Sequence, residues 1–323
     1  MIKIGLIGCG YMGTMHANCY KNIDGVELVA VADIRREKAL ALADGADIYA
    51  DGMELIQQAK VDAIDICLPT YLHAEYAIAA MEKVKYLFVE KPVALTNEQA
   101  RAMMQKATET DCQVQVGQVI RFWDEYVRLK EILDSGIYGR MISANFRRIS
   151  PRPLWGWENW LLDATRSGGA AQDLHIHDTD YILSIFGQPK EFTSIKNKLG
   201  ETNSYIHTLM RYDDFVVSVE GTWDLPESHP FEATFRVVLE KATIENAGGS
   251  FMCYDSEGAR RIELSKKELS GGYRGGNISD LGGYYNELVF FTDMIKRRGI
   301  IDKATLAEAS RSLSFVLEEI AQA

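Results

Sequence analysis

The sequence predicts an α/β protein in two parts: a doubly wound parallel sheet at the N-terminus, then an α+β domain with an open, largely antiparallel sheet. Two textures and one turn point there. The first third alternates short apolar runs with helical patterns, as right-handed β–α–β crossovers require. Gly8-x-Gly10-x-x-Gly13 sits between the first apolar run and the first helical pattern, the place of a Rossmann-type turn. From residue 141 onward strands are longer and follow one another through hairpin-like links such as Arg211-Tyr212-Asp213-Asp214-Phe215. A chain of 323 residues also exceeds the roughly 250–300 residues at which single cores stop growing. The division is placed between 1–120 and 121–323.

Strands are expected at about 2–7, 27–32, 46–50, 62–68, 85–90 and 113–118, and helices at about 11–21, 35–44, 52–59, 72–83 and 97–110. A run such as Ala63-Ile64-Asp65-Ile66-Cys67-Leu68 suits a strand covered by helices on both faces. Thr96 with Glu98 and Gln99 starts a helix after Pro92. A helix over about 123–134 stops at Ser135-Gly136. Strands follow at about 141–149, 190–198, 205–212, 215–223, 232–238, 242–246, 250–254 and 259–264, interrupted by a helix over about 170–186. The glycine-rich Ser270–Gly276 reads as a mobile loop, and helices over about 280–297 and 304–321 close the chain.

Composition narrows the function. The 46 acidic side chains outnumber 35 basic ones, for a net charge of −11, which argues against nucleic acid or an anionic membrane surface as partner. No run of about 18 apolar residues is present, so no helix is expected to span a bilayer. The chain opens directly into a strand with no basic-then-apolar leader. Its five cysteines are scattered and form no C-x-x-C pair, the pattern of reduced thiols and not of a disulfide frame or zinc site. A cytoplasmic protein is expected.

The first candidate site is the glycine turn. Gly8, Gly10 and Gly13 permit the tight turn, the approach of a pyrophosphate and close helix–strand packing. The helix beginning at Tyr11 and Met12 offers unpaired N–H groups and a partial positive charge to phosphates. The second strand ends in Ala32-Asp33, about 20 residues further on, where a carboxylate meets the ribose hydroxyls. Asp33 favours NAD, since a 2′-phosphate about 4 Å from a carboxylate is repelled by roughly 4 kcal/mol at an effective dielectric near 20. Arg35 and Arg36 leave NADP possible.

The second site lies at two other strand ends, where ligands of doubly wound sheets bind. One gives Leu68-Pro69-Thr70 followed by His73, the other Val89-Glu90-Lys91-Pro92. Pro92 keeps Lys91 extended, and an ammonium there can stabilise negative charge developing on a substrate oxygen. The third is Gly168-Gly169 through Asp173-Leu174-His175-Ile176-His177. Helical spacing stacks Asp173 over His177, an acid beside an imidazole as proton transfer needs. It also turns His175 about 200° away. Such two-residue spacing scatters potential metal ligands, so no metal is expected. Trp155, Trp157 and Trp160 crowd one loop; they suit the C–H faces of a sugar or staple the loop to its own domain or to a neighbouring subunit. Arg148, Arg152 and Arg166 nearby either recognise an anionic substrate group or pair with local acids.

The ordered set Gly8-x-Gly10-x-x-Gly13, Asp33, Pro69-x-x-x-His73, Glu90-Lys91-Pro92, Arg121-Phe122, Asp173-x-x-x-His177-x-x-Asp180 and Tyr284-x-x-Glu287-Leu288-x-x-Phe291 resembles the Gfo/Idh/MocA oxidoreductases. The resemblance implies catalytic roles for Lys91, Asp173 and His177. It implies cofactor contacts from Gly8, Gly10, Tyr11, Met12, Gly13, Asp33, Arg35, Pro69, Thr70, His73, Glu90, Lys91 and Arg121. Candidate substrate contacts are Trp155, Trp157, Trp160, His175 and Tyr284. It further implies that 1–120 binds NAD(P), while 121–323 binds a sugar or polyol and pairs subunits into a dimer or tetramer through its sheet. Two departures stand out: His175 replaces a frequent glycine, and Val84-Lys85 replaces the usual Gly-Lys. The expected reaction is reversible hydride transfer between a hydroxyl-bearing carbon and nicotinamide. Alternatives are a glycosidase that oxidises, eliminates and re-reduces with held NAD, and a non-catalytic nucleotide sensor.

Overall fold

A computed structural model of the chain describes residues 1–199, 202–264 and 281–323; the predicted glycine-rich loop at Ser270–Gly276 lies outside them. The first strands are β1 (Ile2–Ile7), β2 (Val26–Ala32), β3 (Asp47–Tyr49), β4 (Ala63–Ile66), β5 (Tyr86–Val89) and β6 (Gln113–Val116). Between them run α1 (Tyr11–Tyr20), α2 (Arg36–Ala43), α3 (Gly52–Gln58), α4 (Thr70–Met81) and α5 (Asn97–Thr110). After α6 (Asp124–Ser135) come β7 (Met141–Pro151), α7 (Ala164–Ser167) and α8 (Ile176–Phe186). Then follow β8 (Glu191–Leu199), β9 (Thr202–Arg211), β10 (Val216–Leu225), β11 (Glu232–Leu239), β12 (Ala242–Ala247), β13 (Ser250–Asp255) and β14 (Gly258–Arg261). Helices α9 (Gly282–Arg297) and α10 (Leu306–Gln322) end the chain.

The first sheet has the order β3-β2-β1-β4-β5-β6, with every pairing parallel. Its central strands β4 and β5 are buried on both faces; Ala63, Ile64, Asp65 and Ile66 are all at or below 1% exposure. The order reverses between β1 and β4, which places the ligand crevice of this fold at their carboxyl ends. Helix α5 starts as expected, with Thr96 Oγ1 accepting from Gln99 N–H and the Gln99 side chain reaching back, a reciprocal cap. Leu6, Val31, Ala39 and Leu42 form part of the core between β1, β2 and α2.

The second sheet has the order β14-β13-β12-β11-β7-β10-β9-β8. It is antiparallel except that β7 and β10 run parallel, with Phe146 opposite Val219. On its inner face Tyr126, Tyr181 and Phe235 meet edge to face, with ring centroids 4.8 and 5.1 Å from Tyr126. On its other face Ile195, Leu209, Val216 and Tyr254 are exposed at 67, 52, 42 and 41%.

The chain divides into two compact units. One is built on Met1–Val119 and also takes the segment ending at Leu313; the other begins at Ile120 and takes the final Ser314–Ala323. The expected division kept 121–323 together, whereas α9 packs on α1 and β1 in the first unit. A return of the chain after a whole intervening domain leaves no mark in local periodicity. Two local differences have clear causes. The stretch 157–162 is a 3₁₀ segment, kinked where Glu158 and Asn159 adopt positive φ, instead of a loop. The expected single helix over 170–186 opens with a π-helical turn, Ala171–His175, before α8. Such a turn carries one residue more than an α turn, so simple 3.6-residue counting misplaces its side chains.

Candidate active site

The three glycines of the first turn answer three separate demands. Gly8 has φ +92°, and a Cβ there would lie 2.5 Å from the Cys67 carbonyl oxygen. A Cβ on Gly13 would lie 1.9 Å from the Gly8 carbonyl oxygen, so α1 could not approach β1 with any side chain present. A Cβ on Gly10 would meet only Arg35 Nη2, at 3.9 Å. The protein itself does not require that last glycine, and the space it leaves is the cradle a pyrophosphate would fill. No side chain caps α1 and its first turn holds no acid, so its N–H dipoles face the cradle uncompensated. Tyr11 and Met12 stand half-buried in that first turn.

Asp33 ends β2 beside this cradle. Its Oδ2 accepts the Cys9 N–H at 2.9 Å and its Oδ1 accepts the Arg35 N–H at 2.8 Å. The Arg35 guanidinium also donates to it, at 3.2 and 3.3 Å. Burial, with the Asp33 charge adding to it, pushes the Cys9 thiol up to about 12, so Cys9 is a spacer and not a nucleophile.

Lys91 follows the wholly buried β5 and is half-buried, its N–H donating to Glu90 Oε2 at 3.1 Å. The Lys91–Pro92 peptide bond is cis. His73, expected at the cofactor, turns both ring nitrogens to carbonyl oxygens, Pro92 O and Leu68 O, each at 2.8 Å. Burial lowers its pKa; the neutral ring donates to one carbonyl at a time and clamps the lysine loop to the end of β4. Pro69 and Thr70 begin α4 beside that clamp, with Pro69 as its cap residue. His73 thus acts on the loop's position, and its ring atoms are taken up by the protein.

Beneath the loop lies a polar cluster that motif reading missed. His16 of α1 is fully buried, with Nδ1 2.8 Å from Asp65 Oδ2 and Nε2 3.1 Å from Glu90 Oε1. The second contact is an ion pair off the line of a hydrogen bond. Tyr20 OH also donates to Asp65 Oδ2, at 2.8 Å. Burial alone would lower the His16 pKa, but the facing Asp65 carboxylate and the Cys67 sulfur outweigh it and hold the ring well above its ordinary range. Glu287 of α9 is fully buried, and neither carboxylate oxygen has a hydrogen-bond partner among the described residues. Burial, then repulsion from Glu90, raises its pKa well above the usual carboxylate range. Tyr284, expected at the substrate, packs here instead, 6% exposed with its ring 6.4 Å from that of His16. Glu90 and Glu287 stand in the motifs Glu90-Lys91-Pro92 and Tyr284-x-x-Glu287, but His16, three residues past the last glycine, reads alone as an ordinary helical residue, and nothing in the spacing joins the four.

Glu287 gives a pH prediction. An acid whose folded pKa is raised contributes stability that is complete below its unfolded pKa, about 4.3, and is lost as pH climbs toward the folded value. Glu287→Gln removes that loss. The variant is expected to match wild type near pH 4 and gain on it by up to about 1.4 kcal/mol per pH unit above that, as read by thermal unfolding across pH. A variant less stable than wild type at pH 8 would show an ionised, paired Glu287.

In the second unit, Asp173 is half-buried in the π turn and His177 is 8% exposed in the first turn of α8. Ionic pairs fix this helix. Asp178 accepts from Arg148 Nε at 2.7 Å and Nη2 at 3.2 Å, and from Tyr126 OH at 3.2 Å. Asp180 takes a two-pronged bond from Arg121, at 2.6 and 2.8 Å. Arg121, expected to touch the cofactor, is 7% exposed and holds the helix instead. Its two aligned N–H groups match a carboxylate better than any single ligand oxygen. Arg148, one of the candidate anion-binding arginines, is likewise spent on Asp178. His175 is fully buried, with Nε2 3.1 Å from Glu319 Oε1. Gly221 of β10 makes room for it, since a Cβ there would fall 2.7 Å from His175 Cβ. His175 is therefore an interior residue, not a substrate contact.

The tryptophans separate. Trp160 packs on the cluster of Leu161, Ala170 and Trp223, so it staples its own segment. Trp157 lies under the Arg166 guanidinium at 5.9 Å. Trp155 is 52% exposed. Arg152 pairs with Asp224 at 2.9 Å.

Two family models match the chain: an oxidoreductase family, NAD-binding Rossmann fold, over residues 2–118, and the GFO/IDH/MocA C-terminal domain over 126–245. A myo-inositol 2-dehydrogenase of Thermotoga maritima is 32% identical over 196 residues, 59% of this chain and 56% of the relative. A D-glucoside 3-dehydrogenase of Escherichia coli is 29% identical over 249 residues, 74% of this chain and 66% of the relative. The matched stretches thus span only 56 and 66% of these two relatives. A levoglucosan dehydrogenase solved with NADH and levoglucosan superposes with a TM-score of 0.85 at 20% identity, covering 99% of this chain and 96% of that one. At that identity the likeness is one of fold.

Proposed function

Because the chain belongs to the Gfo/Idh/MocA oxidoreductase family, we propose that it is an NAD-dependent dehydrogenase acting on the CH–OH group of a sugar, polyol or glycoside. The observation that carries the reading is the glycine turn: the chain omits a side chain at Gly10, where the protein has room for one, directly before an uncapped helix N-terminus. Asp33 and Lys91 lie at strand ends on the same edge of the parallel sheet. The relatives supply the substrate class, since both are named as dehydrogenases of a cyclitol or a glucoside. Bound NAD would supply the two-electron acceptor. His177 takes the hydroxyl proton, a general-base contribution of about 10²–10⁴-fold. Asp173 orients the hydroxyl or the imidazole, and Lys91 stabilises the charge that grows on the oxygen.

Asp33 supports NAD over NADP, because its carboxylate stands at the end of β2 where the ribose would bind. The Arg35 guanidinium offsets part of that charge, so the preference is smaller than an isolated carboxylate would give, on the order of 10- to 100-fold in kcat/KM. Five unpaired cysteines support a reducing, cytoplasmic setting. The exposed apolar side chains on the open face of the second sheet support pairing of subunits through that face.

The test is a panel of polyols, aldoses and glycosides with NAD and with NADP at alkaline pH, followed by NADH absorbance. Turnover of at least one polyol or sugar, faster with NAD, is expected. Free sugar released from a glycoside without net NADH would identify a glycosidase instead, and NAD binding without turnover on any substrate would identify a sensor.

A further inference from the structure

We propose that His16 is a positioning residue: held between Asp65 and Glu90, it fixes the Glu90 carboxylate that receives the Lys91 backbone N–H, and so sets where the lysine side chain starts. This rests on the assignment of Lys91 to the reaction. The geometry is a chain of three contacts inside the first unit. Asp65 in β4 is held by Tyr20 OH at 2.8 Å and by His16 Nδ1 at 2.8 Å. The opposite edge of the same ring faces Glu90 Oε1 at 3.1 Å, and Glu90 Oε2 accepts the Lys91 N–H at 3.1 Å.

A neutral imidazole carries one N–H and can serve one carboxylate, leaving a lone pair against the other. Unlike His73, whose two edges face neutral carbonyls, His16 faces a carboxylate at each edge, and two anions favour the imidazolium, which has no lone pair for a metal. The grouping of His16 with Glu90 and Glu287, close enough in space to suggest a cation cage, is therefore a proton-holding cluster. Gly117 closes the fourth side: a Cβ there would lie 3.0 Å from Glu90 Oε1 and 3.1 Å from its Cδ, so the carboxylate has one seat. Since His16 sits in α1, whose N-terminus faces the pyrophosphate cradle, one ring ties the cofactor helix to the lysine loop.

The test is His16→Gln in the full chain, with NAD affinity by fluorescence titration, thermal midpoint, kcat and substrate KM all measured. Glutamine donates from one end only and turns an oxygen to the other carboxylate. A displaced lysine is expected to lower kcat by about 10- to 100-fold, with NAD affinity and substrate KM within about threefold. Gly117→Ala reaches the same carboxylate from the other side without changing charge; it covers the case in which His16→Gln does not fold, and the same kcat loss is expected. Wild-type kcat in either folded variant would overturn the proposal, as would a loss confined to NAD affinity. Lys91→Ala is run in parallel to separate the two failures. Full activity of Lys91→Ala would remove the lysine assignment itself, whereas an inactive Lys91→Ala beside a fully active His16→Gln would remove only the positioning role.

Discussion

Lys91→Ala is expected to lower turnover by about 10²–10³-fold, the usual cost of removing one preorganised group that stabilises a developing oxyanion, while NAD affinity stays within a few-fold. The backbone explains the separation. Lys91 emerges from β5, whose four residues are all buried, and its N–H is held by Glu90. His73 clamps the following Pro92 to Leu68. These contacts are made by the backbone and by the neighbouring side chains, so they persist when the lysine side chain is cut back. The phosphate cradle is built from Gly8–Gly13 and shares no atom with it. Lys91→Met separates charge from bulk, because it retains most of the aliphatic stem; an equal loss in both variants would assign the effect to the ammonium. Steady-state kinetics with NAD and the best substrate of the panel, beside a binding titration, give both numbers. Turnover retained in Lys91→Ala would take the lysine out of the mechanism.

The elements that depend on local rules were legible before any coordinates. Helix α5 runs over 97–110 as its Thr96–Gln99 box predicted, and β1 runs over 2–7 as the first apolar run predicted. The glycine turn was legible because its three glycines leave a spacing signature, two of them, Gly8 and Gly13, through close backbone approach. What escaped is what depends on residues distant in sequence. Arg148 meets Asp178 across 30 positions and Arg121 meets Asp180 across 59, so two arginines that looked available for ligands proved to be spent on a helix. His175 escaped for a related reason: its partner Glu319 lies 144 residues away and the room for it comes from Gly221. The parallel pairing of β7 with β10 and the return of α9 to the first unit are likewise set by topology, which residue periodicity does not encode. The buried cluster of His16, Asp65, Glu90 and Glu287 is the extreme case, four titratable residues from α1, β4, the end of β5 and α9 that only the tertiary fold brings together.

Arg148→Met is expected to cost the protein about 3–5 kcal/mol, because it leaves a carboxylate buried without its cation. Arg148 is 2% exposed and Asp178 is fully buried. The guanidinium donates to Asp178 through Nε and Nη2, and Nη2 also reaches Tyr126 OH at 3.1 Å; without it, the Tyr126 hydroxyl at 3.2 Å still donates to the carboxylate. At roughly 2–4 °C per kcal/mol for a unit of this size, the thermal midpoint should fall by about 6–20 °C. Removing both charges should behave differently. Arg148→Met with Asp178→Leu leaves no uncompensated ion, and apolar replacement of a buried pair is often neutral or stabilising, so the double variant should regain most of the loss. Its activity should not follow its stability. Asp178 adjoins His177 on α8, and the ion pair ties that turn to β7; without it the imidazole keeps its helix but loses its fixed bearing, and kcat should remain depressed by about tenfold in a protein that melts normally. Calorimetry with steady-state kinetics on the three variants separates the two effects. A single variant that loses less than about 1 kcal/mol would mean that water reaches Asp178 once the arginine is gone, and that the helix bearing His177 is held chiefly by Arg121 and its apolar face.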